Sequence, residues 1–262
     1  MLTFVGLGLY DDRSITRRGR EALATADEVF AEFYTSTLAG ATVADLEAAH
    51  GVDIEVRGRA GVEQDPGPIL NAAGAGDAVF LVAGDPMIST THVDLRLRAR
   101  KRGTETRVVH GTTAQTAASS LTGLQNYRFG KATTIPFERS HGDQRVPDSV
   151  LETVAANRGR GLHTLAYLDI DSRDESENER RGEAYMTGDR AAGRLVDAGE
   201  EGVGVVVGQA GSDDPTVVAD RLPALRERSF GPPLHLLVLP GDLHPLERDA
   251  LKAFGGAPED AL

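Results

Sequence analysis

Short apolar runs rich in β-branched residues alternate with stretches of helical periodicity along the chain, and that alternation restricts the fold more than any other feature of the sequence. Strands separated by helices pair in layered sheets, so the pattern predicts an α/β architecture. Strands are expected at Leu2–Val5, Glu28–Phe33, Ile54–Val56, Ala78–Val82 and Thr106–Val109. The clearest helices among them are Thr16–Ala26 and Thr91–Arg102, the second with Ser or Thr before it as N-cap and Gly103 as its stop.

A second run of elements begins with the small-residue helix Ala114–Leu121. It continues through strand Lys131–Ile135, helix Pro147–Asn157, strand His163–Ile170, helix Glu183–Ala198, strand Val203–Gly208, helix Val217–Arg226 and strand Leu234–Leu239. Two α/β domains are therefore expected, residues 1–112 and 113–262. Facing each other, they would form a cleft lined by strand ends, the usual ligand position in open α/β sheets. The charge-rich tracts Asp169–Arg181 and Ser140–Pro147 are expected to be solvated loops.

Composition removes several classes of function. The chain of 262 residues has no Cys, which excludes disulfide frameworks, iron–sulfur clusters and thiol nucleophiles. It reads as cytosolic. No apolar run approaches the ~20 residues that span a bilayer, and Met1 leads straight into Leu2-Thr3-Phe4-Val5 without a basic segment. The formal charge is −12, and of 28 basic residues only Lys101, Lys131 and Lys252 are Lys. Such a balance fits a high-salt cytoplasm, where charge repulsion is screened within ~3 Å at molar ionic strength, and equally a GC-rich genome. It speaks against a protein that grips nucleic acid through phosphates.

Four glycine-containing turns follow apolar strands. Gly6-Leu7-Gly8-Leu9 begins like a dinucleotide fingerprint, but Asp11 stands where that motif needs Gly or Ala, and Asp12 follows. Two carboxylates there repel a pyrophosphate, which disfavours NAD and FAD and favours a ligand without phosphates. In Val82-Ala83-Gly84-Asp85-Pro86 the Asp is held at the sheet rim, able to accept from a ribose hydroxyl or an ammonium group, or equally to cap the helix carrying His92. Gly208-Gln209-Ala210-Gly211-Ser212 and Pro232-Pro233-Leu234-His235 are the third and fourth turns.

In this order the segments FVGLGLYDDRSITRRG, FAEFYTS, AGDPMISTTH, GLHTLAYLDI, AGS and PPLHLLVLPGDLH resemble the tetrapyrrole methylase family, also called class III methyltransferases, from residue 2 to about residue 258. FVGLGLYD and FAEFYTS set the chain apart from the porphyrin methylases and align it with the branch that methylates a protein. That resemblance implies two α/β domains, a homodimer, and S-adenosyl-methionine as methyl donor, with S-adenosyl-homocysteine as product. The acceptor it implies is the amino group of a 3-amino-3-carboxypropyl chain on a histidine of translation elongation factor 2, which archaeal relatives trimethylate. Carried over residue by residue, the cofactor contacts are Leu9, Asp85, Ile88, Thr113, Ala114, Leu168, Ala210 and His235, with no metal. At Gly111-Thr112-Thr113 the chain departs from the Ser-containing turn expected of relatives.

Methyl transfer from a sulfonium demands proximity and alignment more than a nucleophilic side chain. The acceptor amine must, however, lose a proton first. Glu32, Tyr34 and His92 are candidate bases or orienters; Glu32 and His92 read more readily as a helix cap or a buried hydrogen-bond pair, and Tyr34 equally as a packing residue. Alternatives are a corrinoid or porphyrin C-methyltransferase, a ribosomal RNA methylase, which the acidity does not favour, and a non-catalytic cofactor-binding module.

Overall fold

The computed structural model describes residues 1–138, 145–170 and 185–262. The chain divides into two compact units, Met1–Thr113 and Ala114–Leu262, so Thr113 closes the first unit rather than opening the second.

In the first unit β1 (Leu2–Gly6), α1 (Arg17–Leu23), β2 (Glu28–Glu32), α2 (Val43–His50), β3 (Glu55–Val56), α3 (Gly67–Ala75), β4 (Ala78–Val82), α4 (Val93–Lys101) and β5 (Thr106–Val109) follow one another. The strands form one sheet in the order β3-β2-β4-β1-β5, and each pairing is parallel. A parallel sheet is covered on both faces, which is why β4 reads as an unbroken apolar run, β1 is interrupted only by Thr3, and both are buried throughout. Alternate residues sort onto the two faces. Phe4, Phe30, Phe80 and Val82 pack with Leu95 and Ala99 of α4, while Val5, Ala31, Val79 and Leu81 pack with Leu23 of α1 and Leu46 of α2. Phe4 and Phe80 meet edge to face at 5.9 Å, and burying a ring of this kind contributes about 2 kcal/mol.

Local signals start and stop these helices. Thr16 accepts from the Gly19 amide to begin α1, and Thr42 with Asp45 forms a reciprocal capping box at α2, which ends at Gly51 in the left-handed region. The expected Ser or Thr cap of α4 is replaced by His92, whose side chain caps nothing because its ring turns into the core.

The second unit contains α5 (Ala114–Thr122), β6 (Thr133–Ile135), α6 (Asp148–Arg158), β7 (Thr164–Leu168), α7 (Gly188–Asp197), β8 (Val203–Gly208), β9 (Thr216–Arg221), the single turn α8 (Leu222–Leu225), β10 (His235–Leu239) and α9 (Pro245–Gly255). Its sheet runs β6-β7-β10-β8-β9. β6 and β7 pair in parallel, and the remaining neighbours are antiparallel. The helix expected at Val217–Arg226 is thus mainly strand β9, closing a hairpin with β8. Val217 and Val218 suit a pleated surface, short apolar runs fit either period, and Pro223 confines the helix to the turn that follows. The helix expected from Glu183 begins at Gly188, and residues 183 and 184 lie outside the described residues. Before it, Tyr185 bridges Ile170 and the Met186 amide donates to the Asp169 carbonyl at 3.0 Å. Most of both expected solvated tracts also lies outside the described residues. Val146, at the end of one of them, is buried against Val150 and Val154 of α6.

Two acids fasten this unit. Glu247 of α9 is fully buried, and four donors meet its carboxylate: the Gln125 amide at 2.9 Å, His163 Nε2 at 3.0 Å, the His244 amide at 2.9 Å and Arg128 Nη1 at 3.2 Å. His163 Nδ1 accepts from the Gly241 amide at 3.0 Å, so its proton sits on Nε2 and the ring joins β7, β10 and α9. Glu138, past the end of β6, is gripped by Arg190 at 2.5 Å and Arg194 at 3.1 Å, both on α7. Arg190 also lies over the Phe137 ring at 4.7 Å. The Arg190 hydrogen bonds outweigh the opposing effect of burial and hold the Glu138 carboxyl down at about 2.

Replacing Glu247 with Ala leaves buried donors without an acceptor and is expected to destabilise the chain by about 3 kcal/mol in urea unfolding. Since Glu138 is depressed in the folded state, its contribution is complete above its ordinary 4.5 and disappears as pH falls towards about 2. The stability gap between wild type and Glu138→Gln should therefore narrow over that window in acid-series urea melts; a constant gap would refute the ion-pair assignment.

Candidate functional site

In the first unit three backbone segments meet at the carboxyl ends of adjacent strands. The Leu7 amide donates to the Val82 carbonyl at 2.8 Å, and Gly8 and Gly84 exchange backbone hydrogen bonds at 3.2 and 2.8 Å. Gly111, after β5, closes the group. A Cβ at Gly6 would lie 2.5 Å from the Gly84 oxygen and 2.6 Å from the Gly111 nitrogen, and one at Gly111 would lie 2.2 Å from the Gly84 oxygen. These glycines are demanded by contact between main chains. Gly84 differs: its φ is +73°, and a Cβ there would meet only the Thr112 oxygen, at 4.0 Å. Space is open beside it.

Asp85 follows with its side chain 4% exposed. One carboxylate oxygen accepts from the Met87 amide at 2.9 Å, and the other from His110 Nδ1 at 2.8 Å and the Gly111 amide at 3.3 Å. Asp85 thus ties the turn after β4 to the segment after β5, instead of capping the helix that carries His92. Leu9 and Ile88 stand on the loops after β1 and β4, and Thr113 lies four residues beyond Val109 at the end of β5, so the four first-unit cofactor candidates gather at one end of the sheet. Ile88 is well exposed, and the Leu9 carbonyl accepts from the Asp11 amide and from the Ser14 hydroxyl. Asp11 turns to Arg13, accepting from its backbone and guanidinium. A single 3-10 turn, Asp12–Ser14, follows the first glycine loop with the Asp11 carboxylate capping it, and α1 begins only at Arg17, so no α-helix N-terminus stands there to cradle a pyrophosphate as in dinucleotide folds.

The three candidate bases are drawn inward. Glu32 ends β2 beside Val82 and is fully buried; its carboxylate accepts from the Tyr34 amide at 2.9 Å, the Thr35 amide at 3.0 Å and the Thr35 hydroxyl. His92 Nδ1 donates to the Pro86 carbonyl at 3.1 Å, and its Nε2 lies 3.4 Å from Glu32. Its ring stacks edge-on against Phe80 at 5.2 Å and Tyr34 at 6.3 Å. Burial raises the Glu32 carboxyl above its ordinary value and lowers His92 to about 4. Both shifts favour the uncharged form of each group, as desolvation requires. With His92 1% exposed and Glu32 closed off, these residues support β2 and α4 from within rather than meeting a ligand.

In the second unit the remaining candidates also share one sheet end. Leu168 ends β7, Ala210 follows β8, and His235 opens β10 between those two strands, opposite Gly208. The buried His235 accepts from the Gly188 amide through Nδ1 at 3.0 Å, and burial lowers its affinity for a second proton. Gln209, with φ +50°, aims the turn that carries Ala210. Ala114 opens α5, whose first turn is brought beside β7 by the Tyr167 hydroxyl donating to Gln115 at 3.3 Å. At the same end Asp169 accepts from the Phe137 amide at 2.9 Å. His110, paired with Asp85 yet largely exposed, is not among the residues singled out by the sequence. A histidine placed directly after a strand and before a glycine was the available signal.

Among the described residues no helix is long and apolar enough to cross a membrane. The family model for Tetrapyrrole (Corrin/Porphyrin) Methylases matches residues 1–225. The chain is 66% identical to the diphthine synthase of Natronomonas pharaonis over 100% of its own length and 98% of that protein's. It is 62% identical to the diphthine synthase of Halobacterium salinarum over 100% of both chains. A crystal structure of diphthine synthase superimposes with a TM-score of 0.87 at 36% identity, covering 99% of this chain and 98% of that one. The chain belongs to the tetrapyrrole methylase family, in its diphthine synthase branch.

Proposed function

We propose that the chain transfers methyl groups from S-adenosyl-methionine to the amino nitrogen of a 3-amino-3-carboxypropyl-histidine on translation elongation factor 2, forming diphthine, and that it does so as a cytoplasmic homodimer. The observation that carries this reading is the 66% identity, over the whole chain, with a diphthine synthase. The cofactor supplies a methyl group on a sulfonium: the acceptor lone pair forms the new N–C bond as the C–S bond breaks, and the electron pair stays on sulfur.

The residues present suit such a ligand. It carries no phosphate, in keeping with a loop whose following 3-10 turn is already capped by the Asp11 carboxylate and with no α-helix start before Arg17. Leu9, Asp85, Ile88 and Thr113 of the first unit and Ala114, Leu168, Ala210 and His235 of the second are the proposed contacts. Open space beside Gly84 admits a ligand against the main chain. Three of the roughly four acceptor positions of the Asp85 carboxylate are filled by protein donors, leaving about one for a ribose hydroxyl or an ammonium group. Leu9, Ile88, Leu168 and Ala210 have apolar side chains, so they contribute packing, water exclusion and backbone groups. Their task is to hold donor and acceptor in line, which is where an uncomplicated displacement gains most of its rate.

Elongation factor 2 bearing the aminocarboxypropyl-histidine, incubated with the chain and S-adenosyl-methionine, should gain mass in steps of one methyl at that histidine. Asp85→Ala should weaken cofactor binding by about tenfold or more in calorimetry and suppress the mass gain. Cofactor binding with no methyl gain by the wild-type chain would remove the assigned substrate and favour a binding module.

A further inference from the structure

The acceptor assigned above is an amine, and an α-amino group, with a reference pKa of roughly 8, is mostly ammonium near neutrality. An ammonium nitrogen has no lone pair, so one proton must leave before each methyl arrives. A side chain that takes it needs one atom open to the acceptor and another held in place. Glu32 and His92 fail the first requirement, being closed inside the first unit.

His110 meets both. Its side chain is 79% exposed, while the Asp85 side chain to which it is bound is 4% exposed. The contact is 2.8 Å from Nδ1 to a carboxylate oxygen, and the carboxylate is fixed by the Met87 and Gly111 amides. A carboxylate only accepts, so Nδ1 carries the proton and the neutral ring has its lone pair on Nε2. The ring directly follows β5, and the neighbouring Gly111 packs against Gly6 and Gly84. It therefore stands at the same sheet end as Leu9, Asp85, Ile88 and Thr113. Asp85 is the charged group in contact with it among the described residues.

We propose that His110, oriented by Asp85, is the general base that deprotonates the acceptor ammonium. This rests on the proposed function. The N–H bond of the ammonium breaks, its electron pair remains on the acceptor nitrogen, and the proton passes to His110 Nε2. The imidazolium so formed keeps the proton on Nδ1, hydrogen-bonded to Asp85, whose negative charge stabilises it, as a carboxylate does behind histidine in hydrolase triads. An exposed ring then returns the proton to water and is ready for the next methylation. Successive methyl additions to one nitrogen need this step each time, so a base in open exchange with solvent suits the task better than a buried one.

The test compares wild type with His110→Gln, which retains a hydrogen-bond donor towards Asp85 and lacks a base. Methyl transfer to modified elongation factor 2 is followed from about pH 6 to about pH 10. The variant should lose about 10²-fold or more in rate near neutrality and recover as pH rises through the amine's own ~8. Added imidazole should restore part of the loss, and calorimetric cofactor affinity should remain within about threefold of wild type. A variant with the wild-type rate and pH profile overturns the assignment and leaves the proposed function standing. So does a rate loss matched by lost cofactor affinity with an unchanged pH profile, which makes His110 a binding residue. A wild-type chain that transfers no methyl at any pH overturns the proposed function and the base assignment together.

Discussion

The close approach of main chains at Gly6, Gly84 and Gly111 is the constraint on which the first unit's functional end depends. Parallel strands are spaced by their hydrogen bonds, but the chain leaving each strand is free to diverge. Here it does not: the Gly84 oxygen would lie within 2.5 Å of a Cβ at either of the other two positions. This contact brings the segment after β5 against the turns after β1 and β4, so the Gly111 amide can reach Asp85. The carboxylate then fixes what the glycines allow. Side chains and backbone depend on each other at this point, and substituting any one member alters the loops that the others position.

Electrostatics divides the acids into two populations. The chain carries a formal −12, as do many proteins that work in concentrated salt, and its close relatives come from halophilic archaea. At such ionic strength the surface excess is screened over a few ångströms. The interior acids are not exposed to that screening and are managed one by one. Glu247 is met by four donors, Asp85 by three, and Glu32 by two amides and a hydroxyl. Salt can therefore change the net repulsion of the surface while leaving the strand-end geometry intact.

Much of the fold was legible in the sequence because parallel strands, buried on both faces, spell themselves as apolar runs and the turns after them as glycines. Leu2–Val5 and Ala78–Val82 are recognisable for that reason, whereas Thr106–Val109, an edge strand, is only partly buried. Where the second sheet becomes antiparallel the signal weakens. Thr216–Arg221 has too few residues for period two to separate from period 3.6, and its pairing with β8 decided the outcome. The candidate site was partly legible: Leu9, Asp85, Ile88 and Thr113 share a sheet end, as do Leu168, Ala210 and His235. What the sequence could not convey was direction. Glu32 and His92 look like chemistry in one dimension and turn inward in three, whereas His110, one residue past an ordinary strand, turns outward against Asp85.

FAEFYTS, one of the segments on which the resemblance to this family rests, lies with its carboxylate folded back on its own backbone and against His92. A segment of that kind serves as joinery: the buried carboxylate holds the chain after β2, and the ring beside it anchors the start of α4. Substitutions there would disturb the frame, whereas an exposed ring at a loop rim, such as His110, can be replaced with the frame beneath it left in place.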